Sequence, residues 1–303
     1  MKTKRTSATK KQIQKPKPLI GFIGQGFVGF SYANDFENHG FETVRYALEE
    51  PYRHNKEKIK ECDIVFIAVP TPTTKKGFDD SIIRSAVKLV GKGKIAVIKS
   101  TVLPGTTLSI QKENPDVYVF HSPEFLREVS AEKDAANPAR NIIGMPYASK
   151  IYEEKAKMVL ALLPQAPFEL VTGAEEAELV KYAGNCFLYF KVIFANLLYD
   201  VAESRGIDWA TVRNAVAADE RIGGSHLEPV HKSGRGAGGH CFIKDFAAFA
   251  ELYQKKGGDD FGKAVLNSLR DKNIDLLLKS NKDLDLLHGV YGEEFLKRFE
   301  GKK

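Results

Sequence analysis

A glycine turn between two short apolar runs constrains the fold of this chain more than any other feature. In chain order, an apolar run, the turn G-Q-G-F-V-G, a helical pattern and a second apolar run occupy residues 18–23, 24–29, 30–40 and 41–46. The order strand, glycine turn, helix, strand is typical of a dinucleotide-binding βαβ unit. The sequence therefore predicts that the fold begins with a Rossmann-like unit.

Each glycine of the turn has a steric reason to be there. Gly24 permits the tight turn, Gly26 leaves bare backbone against a pyrophosphate, and Gly29 lets the helix pack close to the sheet. The helix N-terminus then faces the phosphates, because its free N–H groups and its dipole favour anions. We predict that a nicotinamide dinucleotide binds here, with Phe27 and Val28 among its contacts.

The acid that usually holds the adenosine ribose is missing from its expected place. It should close the second strand about twenty residues after the glycines, but R-Y-A stands at residues 45–47. Ala47 cannot bind a ribose hydroxyl through its side chain; Glu49 or Glu50 could replace the acid, or Arg45 could accept a 2′-phosphate. We expect NAD as the cofactor, and the sequence leaves NADP open.

Apolar runs alternate with helical patterns through the first half of the chain. The predicted strands cover 63–69, 95–99, 117–120, 141–144 and 168–171, and the helices between them include 80–90 and 150–163. This alternation favours an α/β fold with a Rossmann-like, doubly wound parallel sheet that is covered on both faces. Pro70, Thr71, Ser100, Thr101 and Glu124 follow strand ends, where such sheets bind ligands. We predict a cofactor crevice at that edge.

The pattern changes after residue 173. Residues 174–205 contain no proline and a single glycine, Gly184, which predicts one helix on the order of 45 Å long. Its middle is apolar on most sides, so we expect it to be buried in a core and at a subunit interface. Further helices are predicted over 209–218, 246–255, 263–278 and 293–299. The predicted parts are a basic disordered tail over 1–17, a dinucleotide-binding domain over 18–173, a helical dimerisation and catalytic domain over 174–270, and a helical extension over 271–303.

A cysteine directly after a glycine cluster is the strongest chemical signal. The stretch G-R-G-A-G-G-H-C-F-I-K-D at residues 234–245 places Cys241 ahead of Lys244 and Asp245. A thiol beside cationic groups can ionise and attack a carbonyl carbon, whereas the alternative is a buried structural cysteine. Lys181 and Asn185 are four residues apart and share one face of the long helix, so they could act together in a site. The alternative is that the lysine only extends to solvent and that the asparagine has no role.

Composition and charge exclude several classes of protein. Hydrophobic residues make up 43% and charged residues 28% of the chain, as in soluble globular proteins, and no apolar run suggests a membrane span. The three cysteines lack disulfide or metal spacing, so we expect no metal and a cytoplasmic protein. Seven basic residues and no acids lie within 1–17, and subtracting them from the net charge of +6 leaves −1 for the rest. A general nucleic-acid role therefore lacks support.

Several stretches together resemble the UDP-glucose/GDP-mannose dehydrogenase family of nucleotide-sugar 6-dehydrogenases. They are G-Q-G-F-V-G at 24–29, V-P-T-P at 69–72, S-T-V at 100–102, S-P-E-F-L-R-E at 122–128, N-P-A-R at 137–140, L-V-K-Y-A-G-N at 179–185, D-E-R-I-G at 219–223 and G-G-H-C-F-I-K-D at 238–245. They occur in the family's order and span roughly residues 19–270.

The resemblance implies a set of site residues. Cys241 would be the nucleophile, Lys181 and Asn185 would stabilise oxyanions, and Glu124 would assist water chemistry. Asp245 would act with Lys181 on a bound water, and Thr101 would be a catalytic residue near the nicotinamide and its water. The implied cofactor contacts beyond the glycine turn are Pro70, Thr71, Ser100, Thr101 and Lys244. The implied substrate contacts are Glu124, Phe125, Leu126, Arg127, Glu128, Lys181, Asn185, Gly238, Gly239 and Arg221, the last reaching across a dimer.

The implied activity is oxidation of a sugar primary alcohol to a carboxylate in two hydride transfers to NAD. Cys241 would trap the intermediate aldehyde as a thiohemiacetal and then carry a thioester that water hydrolyses. The implied substrate is a sugar nucleotide, with a UDP-sugar first, and the implied assembly is a homodimer through the long helix. A role in polysaccharide biosynthesis follows from the same resemblance.

The chain also departs from the family's pattern. Few residues follow position 270, so we expect a short form without the third domain that grips the nucleotide; Ala237 replaces a usual aromatic residue and Val129 a usual glycine. Two other interpretations remain open. One is a β-hydroxyacid dehydrogenase type of enzyme, which performs a single oxidation and needs no cysteine. The other is a catalytically incomplete cofactor-binding module that needs a partner domain.

Overall fold

The computed structural model describes residues 17–299 and contains one large sheet of seven strands. The strands are β1 (Ile20–Ile23), β2 (Thr43–Tyr46), β3 (Ile64–Ile67), β4 (Ile95–Ile98), β5 (Tyr118–His121), β6 (Arg140–Met145) and β7 (Phe168–Gly173). Their spatial order is β2-β1-β3-β4-β5-β6-β7. Every residue of β1, β3 and β4 is buried, because helices cover both faces of the sheet. The predicted fold class is confirmed; residues 1–16 of the predicted tail lie outside the described residues.

The last two strands run against the direction that the sequence pattern predicts. Within this sheet, all neighbouring strands pair in parallel except β5 and β6, which pair antiparallel at His121 and Gly144. The link between them stays at the carboxyl edge, so β6 has to run back across the sheet. Arg140 at the start of β6 therefore lies at this edge, and its guanidinium lies 3.7 Å from the centre of the Phe125 ring.

The helices enclose the sheet and then form a separate layer. They are α1 (Phe27–Asn38), α2 (Ser81–Val87), α3 (Thr106–Glu113), α4 (Ala131–Ala136), α5 (Lys150–Leu160), α6 (Ala174–Arg205), α7 (Trp209–Ala217), α8 (Gly239–Lys255), α9 (Asp260–Lys279), α10 (Leu284–Tyr291) and α11 (Glu293–Leu296). The long helix α6 has the predicted bounds and ends at Gly206, whose φ of 65° suits glycine. Helix α8 begins seven residues earlier than predicted, so Cys241 lies in its first turn.

Helix α6 joins the two halves of the structure. Near its start it carries buried Glu178, which accepts hydrogen bonds from the backbone N–H groups of Gly105 and Thr107, both at 2.7 Å. Farther along, the Tyr189 ring stacks on the Phe246 ring of α8 at 4.0 Å between centroids. The helix thus fixes α8 relative to the carboxyl edge of the sheet, although the two lie far apart in sequence.

The glycine turn offers a matched pair of substitutions. A Cβ on Gly29 would lie 1.9 Å from the carbonyl oxygen of Gly24, whereas a Cβ on Gly26 would meet nothing within 4 Å. We expect Gly29→Ala to lower the free energy of unfolding by about 2 kcal/mol or more, because the backbone has to shift. Gly26→Ala should leave it nearly unchanged. Urea unfolding of both variants measures the difference; equal losses would contradict the steric argument.

Candidate active site

The polar turns after β3 and β4 are hydrogen-bonded to each other. The Ser100 hydroxyl accepts from Val69 N at 2.9 Å and donates to Val69 O at 2.7 Å, and the Thr71 hydroxyl donates to Thr101 O at 2.8 Å. The glycine turn lies at the same edge, since a Cβ on Gly24 would lie 2.2 Å from Ala68 O. The turns predicted to hold the cofactor are therefore neighbours in space.

A buried ion pair connects α6 to the loop after β5. The Lys181 ammonium lies 2.8 Å from Glu124 Oε1, and only 7% and 8% of the two side chains are exposed. The other carboxylate oxygen of Glu124 accepts from Leu126 N at 2.7 Å, which orders the start of the predicted substrate loop. Lys181 also lies 5.8 Å from the centre of the Phe125 ring. Lys181 thus forms its ion pair with Glu124, and its joint action with Asp245 on a bound water stays a prediction.

Asp245 is instead the centre of a second cluster, between α6 and α8. Its side chain is 1% exposed; one carboxylate oxygen accepts from Asn185 Nδ2 at 2.6 Å and the other from Lys244 Nζ at 2.5 Å. Cys241 lies one helical turn before Asp245 on the same face of α8. The structure therefore brings the predicted lysines, carboxylates, amide and thiol of α6, α8 and the β5 loop together.

The charges around Cys241 act on its ionisation in opposite directions. The cysteine is exposed, yet the protein atoms that crowd its thiol raise its pKa above the ordinary value, and the Asp245 carboxylate raises it further. The ammonium groups of Lys181 and Lys244 lower it, but their effect is smaller. Neighbouring lysines alone therefore do not keep this thiol ionised in the ligand-free protein. A reaction of this thiol as a nucleophile would require an acceptor for its proton.

Not every predicted substrate contact lies in this cluster. Arg127 pairs with Asp134 at 2.6 Å, beside a cavity of about 230 Å³ that Tyr32, Phe125 and Arg140 also line. Arg221 is 88% exposed and pairs with Asp219. Glu128 begins a 3₁₀ turn, and Val129 is 89% exposed. Gly238 and Gly239 form the N-cap and first residue of α8.

Lys99 is a buried lysine at the site that the sequence interpretation overlooked. Its side chain follows β4, is 2% exposed, donates to Ser122 Oγ at 3.1 Å and lies 4.3 Å from the centre of the Tyr32 ring. Within residues 17–299, no carboxylate lies within 4 Å of its ammonium. Burial lowers the pKa of Lys99 to about 7, with Lys181 adding to the effect and Glu124 opposing it. A lysine directly after the apolar run I-A-V-I was the signal available in the sequence.

The lowered pKa of Lys99 predicts that the stability of the fold depends on pH. Between pH 7 and the ordinary lysine pKa, the unfolded chain binds this proton and the folded chain does not, so stability rises as pH rises. From pH 7 to pH 9, we expect the free energy of unfolding to rise by about 2 kcal/mol more in the wild type than in Lys99→Met. Urea unfolding of both proteins at these two pH values measures the gain. Parallel pH curves for wild type and variant would show that Lys99 does not titrate in this range.

Comparison with known families identifies the family to which this chain belongs. A model of the UDP-glucose/GDP-mannose dehydrogenase NAD binding domain matches residues 50–160, and a model of the central domain of the same family matches residues 175–274. Together the two matches cover more than half of the chain. This chain belongs to the UDP-glucose/GDP-mannose dehydrogenase family. The resemblance inferred from the motifs is thereby confirmed.

Relatives in other organisms agree with this family. The UDP-glucose 6-dehydrogenase TuaD of Bacillus subtilis is 37% identical over an alignment of 214 residues that covers 66% of this chain and 44% of that protein. A UDP-glucose 6-dehydrogenase of Rickettsia prowazekii is 31% identical over an alignment of 266 residues that covers 84% of this chain and 59% of that protein. This chain therefore spans about half the length of the curated relatives it matches.

Two solved structures have the same fold. A UDP-glucose dehydrogenase from the hyperthermophilic archaeon Pyrobaculum islandicum superposes with a TM-score of 0.73 at 28% identity, over 88% of this chain and 70% of that chain. A 3-hydroxyisobutyrate dehydrogenase of Mycobacterium tuberculosis gives a TM-score of 0.66 at 15% identity, over 90% of this chain and 98% of that chain. At 15% identity the likeness concerns the fold alone.

Proposed function

We propose that this protein is a nucleotide-sugar 6-dehydrogenase that oxidises a sugar primary alcohol to a carboxylate with NAD as the oxidant. The observation that carries the proposal is the position of Cys241. It lies on α8 next to the buried Asp245 carboxylate, and the charges of Lys181 and Glu124 also act on its thiol. A single oxidation of a hydroxyacid requires no cysteine at this place.

The residues at the carboxyl edge fit a nicotinamide dinucleotide. Gly26 leaves open space at the N-terminus of α1, and the linked turns at Thr71, Ser100 and Thr101 lie at the same edge. NAD bound there supplies the hydride acceptor for both oxidations. The Arg45 guanidinium is held by Glu37 at 2.7 Å and by Asn34 at 2.8 Å, which favours NAD over a cofactor with a 2′-phosphate.

The charged residues of the site have distinct roles in this reaction. Asp245 accepts the alcohol proton through water as the first hydride leaves the sugar. Asp245 passes this proton through water to solvent and then accepts the proton of Cys241, whose sulfur attacks the aldehyde. A C–S bond forms as the carbonyl π bond breaks, and Lys181 with Asn185 stabilises the new alkoxide. Loss of the second hydride leaves a thioester. Glu124 assists the water that breaks the C–S bond, which releases the carboxylate and returns the Cys241 thiol.

The number of cofactors reduced per sugar tests this proposal. UDP-glucose, GDP-mannose and other UDP-sugars are supplied in limiting amounts with NAD or NADP, and reduced nicotinamide is counted by absorbance. We expect two equivalents of NAD per sugar. One equivalent would support the β-hydroxyacid dehydrogenase type. Cofactor binding by calorimetry without turnover would support a module that needs a partner domain.

The surface of α6 supports a homodimer. Exposed apolar side chains recur along one side of the helix, at Leu179, Phe187, Phe194, Leu197 and Val201. Among the described residues, α6 alone is long and apolar enough to cross a bilayer, but it also carries the buried ion-paired Lys181. We therefore propose that the stripe packs against a second copy in the cytoplasm. Light scattering should give the mass of two chains; the mass of one chain at tens of micromolar would contradict this.

A further inference from the structure

The glycine stretch that precedes Cys241 is held by a segment from the end of the chain. This α9–α10 segment, residues 273–283, makes hydrogen bonds to the backbone from residue 234 to residue 239. Its residues 275–283 lie outside the part of the chain that the family models match. The proposed activity assigns this segment no role.

Two side chains of the segment fix the path of the glycine stretch. The buried Lys282 ammonium donates to Gly234 O at 3.1 Å and to Gly236 O at 3.0 Å. Asn273 binds both backbone groups of Ala237, accepting from its N–H at 2.7 Å and donating to its carbonyl at 3.0 Å. The backbone just before α8 therefore has few ways to move.

Asp283 reaches the first turn of α8 itself. Its Oδ2 accepts from Gly239 N at 2.8 Å, and Gly239 is the first residue of the helix. A Cβ on Gly238 would lie 2.0 Å from this oxygen, so the carboxylate reaches the helix only because position 238 is a glycine. The N-terminus of a helix carries a partial positive charge, which stabilises a thiolate in the first turn. A carboxylate at the same place opposes that effect.

We propose that Asp283 is a positioning residue for Cys241: it holds the first turn of α8 in place, and its charge at the helix N-terminus opposes ionisation of the thiol. This rests on the proposed function only in assigning Cys241 the role of nucleophile. The charged groups that act on the thiol are Asp245 and Lys244 on α8, Lys181 on α6 and Glu124 on the loop after β5. Lys282, next to Asp283 in the chain, binds the carbonyl of Gly234. Asp283 differs from them in contacting the helix terminus directly.

Asp283→Asn separates the charge from the contact. Asparagine keeps an oxygen that can accept from Gly239 N, but it removes the negative charge. If the carboxylate restrains ionisation, the pH midpoint for alkylation of Cys241 by iodoacetamide should fall by about 0.2 to 0.7 units. The alkylation rate at pH 7 should then rise roughly two- to fivefold. Asp283→Ser, which also lacks the charge, should shift the midpoint in the same direction.

A matched control lies at the other end of α8. Asp259 caps α9 and accepts from Gly262 N at 2.8 Å, the same distance as in the Asp283 contact. Its carboxylate follows the last residue of α8, roughly 20 Å along the helix axis from Cys241. Asp259→Asn should therefore leave the alkylation midpoint unchanged.

The experiment is run on the full chain, with the alkylated Cys241 peptide quantified by mass spectrometry at each pH. A lower midpoint in both Asp283 variants, with none in Asp259→Asn, supports the proposal. An unchanged midpoint in the Asp283 variants, or an equal shift in Asp259→Asn, overturns it. Alkylation requires no turnover. If the shift occurs and no sugar is oxidised, the proposed function fails while the role of Asp283 stands.

Discussion

Replacing Cys241 with serine is expected to lower turnover on the nucleotide sugar by at least about a thousandfold. A serine hydroxyl ionises far less readily than a thiol, and the Asp245 carboxylate beside it would oppose ionisation further. The variant can then neither trap the aldehyde nor carry the thioester. Steady-state reduction of NAD measures the loss, and calorimetry measures whether the cofactor still binds.

A different cysteine provides the control for this substitution. Cys62 is buried beside β1 and β3, and a Cβ on Gly21 would lie 3.0 Å from its sulfur. Cys62→Ala should cost some stability but retain turnover within a few fold, because this thiol takes no part in the site. Comparable turnover in wild type and Cys241→Ser would contradict the thioester route and would favour a single oxidation.

Breaking the Lys181–Glu124 pair is expected to have the largest effect on stability. Lys181→Met leaves a buried carboxylate and Glu124→Gln leaves a buried ammonium, so each should lower the free energy of unfolding by about 3–5 kcal/mol. The double variant has no unpaired charge there and should recover much of the loss. Urea unfolding of the four proteins gives the coupling energy.

An exposed ion pair supplies the comparison. Lys157 and Glu153 on α5 lie 2.7 Å apart with 64% and 52% of their side chains exposed. Because water and salt screen such a pair, Lys157→Met should change the free energy of unfolding by about 0.5 kcal/mol or less. If the losses at Lys181 and Glu124 simply added in the double variant, the two residues would not be energetically coupled.

Local patterns were sufficient to predict most elements of this fold. Residues 174–205 lack proline and precede Gly206, so a single uninterrupted helix was readable from the sequence with its correct bounds. The glycine turn was equally readable, since its spacing reflects contacts within one βαβ unit. Short helices such as α3, α4 and α10 were missed, because eight residues or fewer carry little periodic signal.

The partners of the charged residues depend on contacts between segments that are far apart in the sequence. Lys181 pairs with Glu124 across 57 positions of sequence, and Asn185 pairs with Asp245 across 60. Spacing placed Lys181 and Asn185 on one face of a helix, but which carboxylate each would meet depends on how α6 crosses the sheet and α8. The resemblance to a family named the residues without naming these pairs.

By itself the sequence determined the Rossmann-like sheet, the long helix and the residue types available for chemistry, because each depends on interactions between near neighbours in the chain. Only the tertiary structure decided that β6 turns back, that Lys99 is buried with no carboxylate of residues 17–299 within 4 Å, and that Asp283 contacts the helix of Cys241. These features depend on burial and on charges brought together from distant segments. Burial and long-range charge set the ionisation of a side chain, and neither can be read from local spacing.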